Sequence, residues 1–269
     1  MEIIGEKING TRKRVAQAIV ERDIVFIQDL ARQQAEAGSA WLDINAGTHP
    51  KQEPDDLVWL IETVQAVVDT PLCLDSANPN ALAAAIKAVN KTPMINSISG
   101  EPERLAGIIP LVAERHCRVI ALAMDAKKIP ETAEARCAVI ERVLAATRAA
   151  GIPDAHVYID PLAMTLSTNV QSGMIFCNTM RAVHQTHPEA HFTAGLSNIS
   201  FGLPARSTIN RAFLTLALQA GLDSAILDPL DRELKAALLA AELVLGRDKH
   251  CLNYTRAYRA GVFDKPEGK

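Results

Sequence analysis

Residues 41–76 read WLDINAGTHPKQEPDDLVWLIETVQAVVDTPLCLDS and contain two short apolar runs on either side of an amphipathic stretch. The runs WLDIN (41–45) and LCLDS (72–76) have the mostly apolar character of strands in a parallel sheet that is covered on both faces. In 53–69 the apolar residues recur at helical spacing, behind Pro54 and an acidic first turn. This apolar face comprises Leu57, Leu60, Ile61, Val64, Val67 and Val68. The stretch predicts a strand–helix–strand unit.

The same alternation runs along the whole chain. Helical patterns also occupy 130–151, closed by Gly151, and 231–246, opened by Asp231 as N-cap. Eight strands alternating with helices over about 250 residues favour a TIM (β/α)8 barrel that forms one domain, 1–269. An open, doubly wound sheet is the alternative, but no G-x-G-x-x-G follows the first strand. The other predicted strands are 2–8, 94–98, 119–125, 157–161, 192–198 and 224–228.

Composition excludes several classes of protein. The 269 residues are 48% hydrophobic, with a net charge of −3 and a pI near 6.2, whereas nucleic-acid-binding domains usually have a pI above about 9. No apolar run reaches the roughly 18 residues of a membrane span, and the N-terminus lacks a secretory signal. Five scattered cysteines without a C-x-x-C pair are typical of reduced thiols, so we expect a cytoplasmic protein.

Polar residues end all eight predicted strands, where the active site of a barrel lies. About half of them are expected to be structural, because Asp at a strand–helix junction is often a helix N-cap; Asp125 and Asp228 fit this best. Alternation predicts that Lys7, next to Glu6, points away from the pocket. The strand-end residues are Glu6, Asp43 with Asn45, Asp75, Asn96, Asp125, Asp160, Asn198 and Asp228.

A pocket of carboxylates and amides without cations suits a neutral heterocycle rich in donors. The 2-amino-4-oxo edge of a pterin offers adjacent N–H groups that one carboxylate can accept, and an amide can both donate and accept. The pattern contains no cluster of Cys and His at ligand spacing, so no metal site is predicted.

Several short motifs occur in a recognisable order. They are GEKIN (5–9), LDINAG (42–47), CLDS (73–76), MINSISGE (94–101), YIDPL (158–162), GLSNIS (195–200) and INRAFL (209–214). Together they resemble the pterin-binding methyltransferases, which include methyltetrahydrofolate:corrinoid/iron–sulfur protein methyltransferase and the folate domain of cobalamin-dependent methionine synthase. Dihydropteroate synthase is a more distant relative.

The resemblance implies a TIM barrel, usually a homodimer, that binds tetrahydrofolate or 5-methyltetrahydrofolate at the strand ends. It implies that Asp75, Asn96 and Asp160 bind the pterin ring and that Asn198 is the catalytic residue at N5. Glu6, Asp43 and Ser197 match further pterin-binding positions. The corrinoid-binding pattern D-x-H-x-x-G fails because Ile159 replaces its glycine, so the cobalamin is expected on a separate corrinoid protein.

The implied reaction is methyl transfer between N5 and cobalt by SN2 displacement, assisted by a proton on N5 that Asn198 stabilises. Its direction is open from the sequence. Two alternatives remain: a pterin enzyme of the dihydropteroate synthase kind, and a non-catalytic folate-binding subunit of a corrinoid complex. Phe201 departs from the family pattern, in which a polar residue often follows S-N-[IV]-S.

Overall fold

Eight strands, each followed by helical structure, make up the computed structural model of the chain, which describes residues 1–126 and 128–263. The strands are β1 (Glu2–Asn9), β2 (Trp41–Asn45), β3 (Leu72–Asp75), β4 (Met94–Ser99), β5 (Arg118–Leu122), β6 (Val157–Asp160), β7 (His191–Phe192) and β8 (Ser224–Leu227). Lys127 and residues 264–269 of the predicted domain 1–269 lie outside the described residues.

Helices surround the strands on the outside. They are α1 (Lys13–Glu21), α2 (Ile24–Glu36), α3 (Glu53–Gln65), α4 (Pro79–Ala88), α5 (Pro102–Glu114), α6 (Ala133–Ala149), α7 (Ser172–Thr186), α8 (Arg206–Ala220), α9 (Arg232–Val244) and α10 (Leu252–Arg259). Short 3₁₀-helices cover Asp154–His156, Leu196–Ser200 and Lys249–Cys251. Within the described residues, no helix combines the length and apolarity needed to cross a membrane.

All strand pairs are parallel, and the sheet closes on itself. Each strand from β1 to β6 pairs with the next one along the chain, and β8 pairs with β1. Between β7 and β8, the Ile226 N–H donates to the Ala194 carbonyl at 2.8 Å and the Asp223 N–H donates to the Phe192 carbonyl at 3.4 Å. The predicted (β/α)8 barrel is therefore confirmed.

Strand alternation divides the apolar residues into two cores. The larger core lies between the strands and the helices. A smaller cluster fills the barrel interior with side chains from six strands, and its buried members are Ile4, Trp41, Cys73, Met94, Ile120 and Tyr158. Because successive side chains alternate between faces, residues two positions after this cluster also point into the barrel, toward the carboxyl ends of the strands.

The predicted helix ends hold in part. The Asp231 carboxylate accepts from the Leu234 N–H at 3.0 Å, which confirms the N-cap of α9. Gly151 adopts φ +78°, in the left-handed region that favours glycine after a helix. The predicted helix 53–69 ends at Gln65, and the predicted helix 130–151 spans only Ala133–Ala149.

Asp125 and Asp228 have structural roles, but neither caps a helix. Asp125 pairs with Arg142 on α6, whose N-cap is Thr132. Asp228 accepts from the Leu230 N–H at 3.0 Å within the turn that precedes α9.

Two predicted strands are too long at their carboxyl ends. The predicted strand 119–125 stops at Leu122, because the Met124 N–H turns back to the Leu122 carbonyl at 2.8 Å. The predicted strand 192–198 is β7 only to Phe192, with a single bridge from Gly195 to β8. Beyond that bridge the Asn198 N–H donates to the Gly195 carbonyl at 3.2 Å, so the chain winds into a 3₁₀-helix.

A polar cluster links β7 to β8 at the amino-terminal end of the barrel. The Glu2 carboxylate accepts from the Tyr158 hydroxyl at 3.1 Å, and His191 stacks on Tyr158 with ring centres 4.7 Å apart. His191 Nδ1 lies 2.7 Å from Asp223 Oδ2, while Asp223 Oδ1 accepts from the Phe192 N–H at 2.9 Å. These contacts support the closure of the barrel.

The His191–Asp223 pair should make stability depend on pH. The hydrogen bond to Asp223 raises the pKa of His191; nearby Glu2 also raises it, while burial and Arg118 oppose the shift. A histidine whose pKa is raised by folding contributes stability in full below its unfolded pKa of about 6.5, and loses it as pH rises through the folded pKa. The side chains are 39% and 43% exposed, so solvent screening limits the effect to less than about 1 kcal/mol.

We therefore expect the melting temperature of the wild type to fall by about 2 °C relative to a His191→Gln variant between roughly pH 6 and pH 8.5. Thermal unfolding followed by circular dichroism across this range measures the difference. Parallel pH profiles for the two proteins would contradict a stabilising imidazolium.

Candidate active site

Five of the seven site residues predicted from sequence project into the barrel at its carboxyl end. Each lies two positions after a residue of the inner apolar cluster, so strand alternation turns its side chain into the mouth. Asn45 occupies the following inward position on β2. The five are Glu6, Asp43, Asp75, Asn96 and Asp160.

Asp43 and Asp75 lie on neighbouring strands and each is bonded to an amide. The Asn45 Nδ2 group donates to Asp75 Oδ2 at 2.8 Å, and the Asn96 Nδ2 group donates to Asp43 Oδ1 at 3.3 Å. Burial, and next the negative charge of Asp75, raise the pKa of Asp43 well above its usual range. Burial and the mutual repulsion of the two carboxylates thus disfavour the ionised form of Asp43.

Asp160 is almost fully buried at the end of β6, with 7% of the residue exposed. Its Oδ1 accepts from the Leu162 N–H at 2.8 Å. Burial raises the pKa of Asp160 to about 6, although the N–H groups of Leu162 and Gly195 and the charge of Arg136 act in the opposite direction. Near neutral pH the group is a carboxylate in a largely dry setting, which makes it a strong acceptor for N–H donors.

Asn198 and Ser197 reach the mouth from the 3₁₀-helix after β7 rather than from a strand. The Asn198 amide folds back over Gly195, so that a Cβ on Gly195 would meet Asn198 Nδ2 at 2.9 Å. Gly195 in turn presents its N–H to Asp160. Asn198 is exposed and therefore open to a ligand beside Asp160.

The turn that carries Asn198 is held from α8. Arg206 donates from Nη2 to the Ser197 carbonyl at 2.8 Å and from Nε to Ser200 Oγ at 3.1 Å. The Phe201 carbonyl accepts from the hydroxyls of Thr165 and Ser167, while 66% of Phe201 is exposed. The departure from the family pattern at Phe201 therefore leaves an exposed ring on a fixed backbone.

The prediction that the mouth lacks cations, and that Lys7 points away from it, is wrong. Lys7 Nζ lies 2.7 Å from Asp228 Oδ2, and Arg12 Nη2 lies 2.8 Å from Glu6 Oε1. The pairing of β1 with β2 skips a residue between Gly5 and Ile8, so Glu6 and Lys7 together oppose Asp43. Such a bulge breaks the alternation on which the prediction rested.

Glu6 is a further carboxylate of the mouth, and its pKa also differs from the ordinary value. Burial raises the pKa of Glu6, and the charges of Arg12 and Lys7 only partly offset this effect. Across residues 1–126 and 128–263, no group of three or more His, Cys, Asp or Glu side chains converges to hold a metal ion.

Sequence patterns missed three residues that support the site: Gly195, Arg206 and Arg136. Gly195 makes room for the Asn198 amide, and Arg206 holds the turn of Asn198. Arg136 lies on α6 and bonds the carbonyls that follow Asp160. No periodicity or motif marks the two arginines, because their partners are main-chain carbonyls supplied by other segments.

Comparison with known proteins gives a consistent result. Residues 5–228 match the model of a family described as pterin binding enzyme. The chain is 38% identical, over 100% of both chains, to the methylcorrinoid:tetrahydrofolate methyltransferase of Eubacterium limosum. It is 30% identical to the methionine synthase of Mycobacterium tuberculosis over 83% of this chain, but only 20% of that protein.

Solved structures show the same fold at low sequence identity. The dihydropteroate synthase of Xanthomonas albilineans, in complex with 7,8-dihydropteroate, superimposes with a TM-score of 0.65 at 22% identity, covering 91% of each chain. The Yersinia pestis dihydropteroate synthase gives a TM-score of 0.67 at 17% identity, covering 92% of this chain and 94% of the other.

Proposed function

The chain belongs to the family of pterin-binding enzymes, and we propose that it transfers a methyl group between a corrinoid protein and N5 of tetrahydrofolate. The observation that carries the proposal is the convergence of Asp75, Asn96, Asp160 and Asn198 on one barrel mouth, in a chain that aligns end to end with a methylcorrinoid:tetrahydrofolate methyltransferase. The name of that relative also supports the direction, from methylcorrinoid to tetrahydrofolate. The reverse reaction uses the same site by microscopic reversibility.

Asp75, Asn96 and Asp160 would bind the pterin ring. A buried carboxylate at Asp160 suits the adjacent N–H donors of the 2-amino-4-oxo edge, because charge-assisted hydrogen bonds are stronger in a dry setting. The amide of Asn96 would meet the mixed edge of ring nitrogens, since it both donates and accepts. Asp43 and Glu6, whose pKa values are also raised by burial, would contribute further polar contacts around the ring.

Asn198 would stabilise the charge that develops at N5. When the N5 lone pair attacks the methyl carbon, the carbon–cobalt bond breaks and its electron pair stays on cobalt. N5 then carries a positive charge until its proton leaves. The Asn198 carbonyl oxygen would accept a hydrogen bond from N5–H⁺, and Ser197 on the same turn would bind the ring beside it. In the reverse direction the same bond assists protonation of the leaving nitrogen.

The mouth must admit a corrinoid, which this proposal assigns to a separate partner protein. The cobalt-bound methyl has to reach N5, and Asn198 lies exposed at the rim of the barrel. The exposure of Asn198 is consistent with a large substrate that approaches from solvent and leaves again.

Methyl transfer between 5-methyltetrahydrofolate and free cob(I)alamin tests the function. We expect methylcobalamin and tetrahydrofolate to form in equal amounts, measured from the cobalamin absorbance and by chromatography of the folate. Calorimetric binding of the folate without turnover would support the non-catalytic subunit. Condensation of p-aminobenzoate with a pterin pyrophosphate would support a synthase instead.

We also propose that the protein is a homodimer that pairs through α7 and α8. An apolar groove of about 310 Å³ lies between these helices, with Gly173 and Cys177 in its lining. Three of the side chains that line it project into solvent, since Val170, Met174 and Leu216 are 78%, 51% and 58% exposed. A surface that carries both a groove and projections can pair with its own copy about a two-fold axis.

A Leu216→Glu variant should therefore sediment as a monomer at concentrations where the wild type is a dimer, because two carboxylates would be buried at the interface. A Val244→Glu variant is the matched control, since Val244 is also exposed but lies on α9. Dimers of unchanged stability in the Leu216→Glu variant would place the interface elsewhere, and a monomeric wild type would refute the dimer.

A further inference from the structure

Arg136 is a charged residue buried inside the protein, with 2% of the residue exposed. Burying a guanidinium is unfavourable unless its N–H groups find acceptors. Here Nε donates to the Pro130 carbonyl at 3.0 Å, and Nη1 donates to the carbonyls of Pro161 at 2.6 Å and Leu162 at 2.8 Å. These three hydrogen bonds all go to main-chain carbonyls.

Two of these carbonyls belong to the residues that follow Asp160. Leu162 adopts φ +68°, a left-handed conformation that is unfavourable for a branched side chain. Its N–H donates to the Asp160 carboxylate at 2.8 Å, while its carbonyl accepts from Arg136. The turn after β6 is therefore held at both ends, by Asp160 on the side of the mouth and by Arg136 on the side of α6.

The arginine also acts on Asp160 through its charge. Burial raises the pKa of Asp160, and the Arg136 guanidinium acts in the opposite direction, so the arginine favours the ionised form of the carboxylate.

We infer that Arg136 is a positioning residue for the pterin site: it fixes the turn that orients Asp160. This inference rests on the proposed function, since it assigns a second layer behind a pterin-binding carboxylate. Arg136 itself lies behind the turn and does not touch the ligand.

The test compares Arg136→Met, which keeps the stem but removes the charge, with Arg136→Lys, which keeps the charge but loses the bidentate geometry. The measurement is the dissociation constant of 5-methyltetrahydrofolate as a function of pH, by calorimetry. In the wild type, binding weakens as pH falls through about 6, where Asp160 takes up a proton. In Arg136→Met we expect binding about tenfold weaker at neutral pH and a midpoint displaced by roughly half a unit to higher pH.

Arg136→Lys should keep the wild-type midpoint while binding more weakly, because the charge remains and the turn is less well held. A double-mutant cycle with Asp160→Asn gives a second readout: once Asp160 is neutral, Arg136→Met should change the dissociation constant by less than about twofold. The matched control is Arg142→Met on the same helix, which removes a surface ion pair with Asp125 and should leave the midpoint unchanged.

A pH midpoint that is the same in wild type and Arg136→Met would overturn the inference. So would an Arg136→Met substitution that weakens folate binding equally in the wild-type and Asp160→Asn backgrounds. If Arg136→Met does not fold, the pH profile of Arg136→Lys decides, and if neither variant folds the residue is purely structural and the inference fails. Absence of 5-methyltetrahydrofolate binding by the wild type would refute the proposed function instead, so the two failures are distinguishable.

Discussion

Replacing Asn198 with alanine should lower the rate constant for methyl transfer by about 100-fold while changing the dissociation constant of 5-methyltetrahydrofolate little. The charge at N5 develops only on the way to the transition state, so an amide that meets N5–H⁺ stabilises that state more than the bound folate. The loss matches the removal of one preorganised hydrogen-bonding group from an active site, about 2.7 kcal/mol.

Single-turnover mixing with free cob(I)alamin, followed by absorbance, isolates this step from product release. The matched control is Asn178→Ala, which removes an exposed amide that bonds Arg181 on α7 and should leave the rate unchanged. A rate in Asn198→Ala within about twofold of the wild type would remove Asn198 from the mechanism. Equal losses in rate and in binding would assign it to ground-state recognition.

Replacing Asp160 with asparagine should weaken binding of 5-methyltetrahydrofolate by about 100-fold at neutral pH. The buried carboxylate is a charged acceptor for the N–H groups of the pterin, and an amide of the same shape accepts only with its oxygen. Calorimetry in the wild type should show binding that weakens about tenfold for each pH unit below the Asp160 pKa of about 6, because protonation removes the acceptor. In Asp160→Asn this dependence should disappear.

The same variant should be more stable without ligand. Burial raises the folded pKa of Asp160 to about 6, so the ionised carboxylate destabilises the folded state at neutral pH. Its contribution to stability therefore decreases as pH rises from about 4, the unfolded pKa, to about 6. Removing the charge should increase the free energy of unfolding by on the order of 2 kcal/mol near pH 7. Urea unfolding measures this, with Asp69→Asn as the exposed control, since Asp69 pairs with Lys91 at the surface.

Wild-type affinity in Asp160→Asn, or a persistent inflection near pH 6, would show that another group binds the pterin edge. Lower stability of the variant without ligand would show that the carboxylate holds the turn after β6 more than it binds substrate. Greater stability together with lost affinity is the pattern expected of a residue kept for function rather than for folding.

Much of the barrel and of its mouth follows from the sequence. The segments 41–45, 72–76 and 157–160 are short apolar runs typical of buried strands, and strand geometry turns successive side chains to opposite faces. Asp43, Asp75 and Asp160 therefore lie on the inner face, next to a filled interior. Helical periodicity between the runs makes the strands parallel, so their carboxyl ends meet at one mouth. These features depend on local spacing alone.

Only the tertiary structure decided how the remaining groups reach that mouth. A bulge on β1 turned Lys7 toward Asp228, a 3₁₀-helix rather than a strand delivered Asn198, and Arg136 arrived from α6 to hold the turn of Asp160. Each outcome depends on which segments lie side by side after the chain has folded. The register between β1 and β2 produces the bulge, and the closure of β7 on β8 ends the strand before Asn198. Main-chain carbonyls of a loop distant in sequence bind Arg136. A sequence determines the periodicity of its own elements, but contacts between elements far apart along the chain are settled only by their packing in three dimensions.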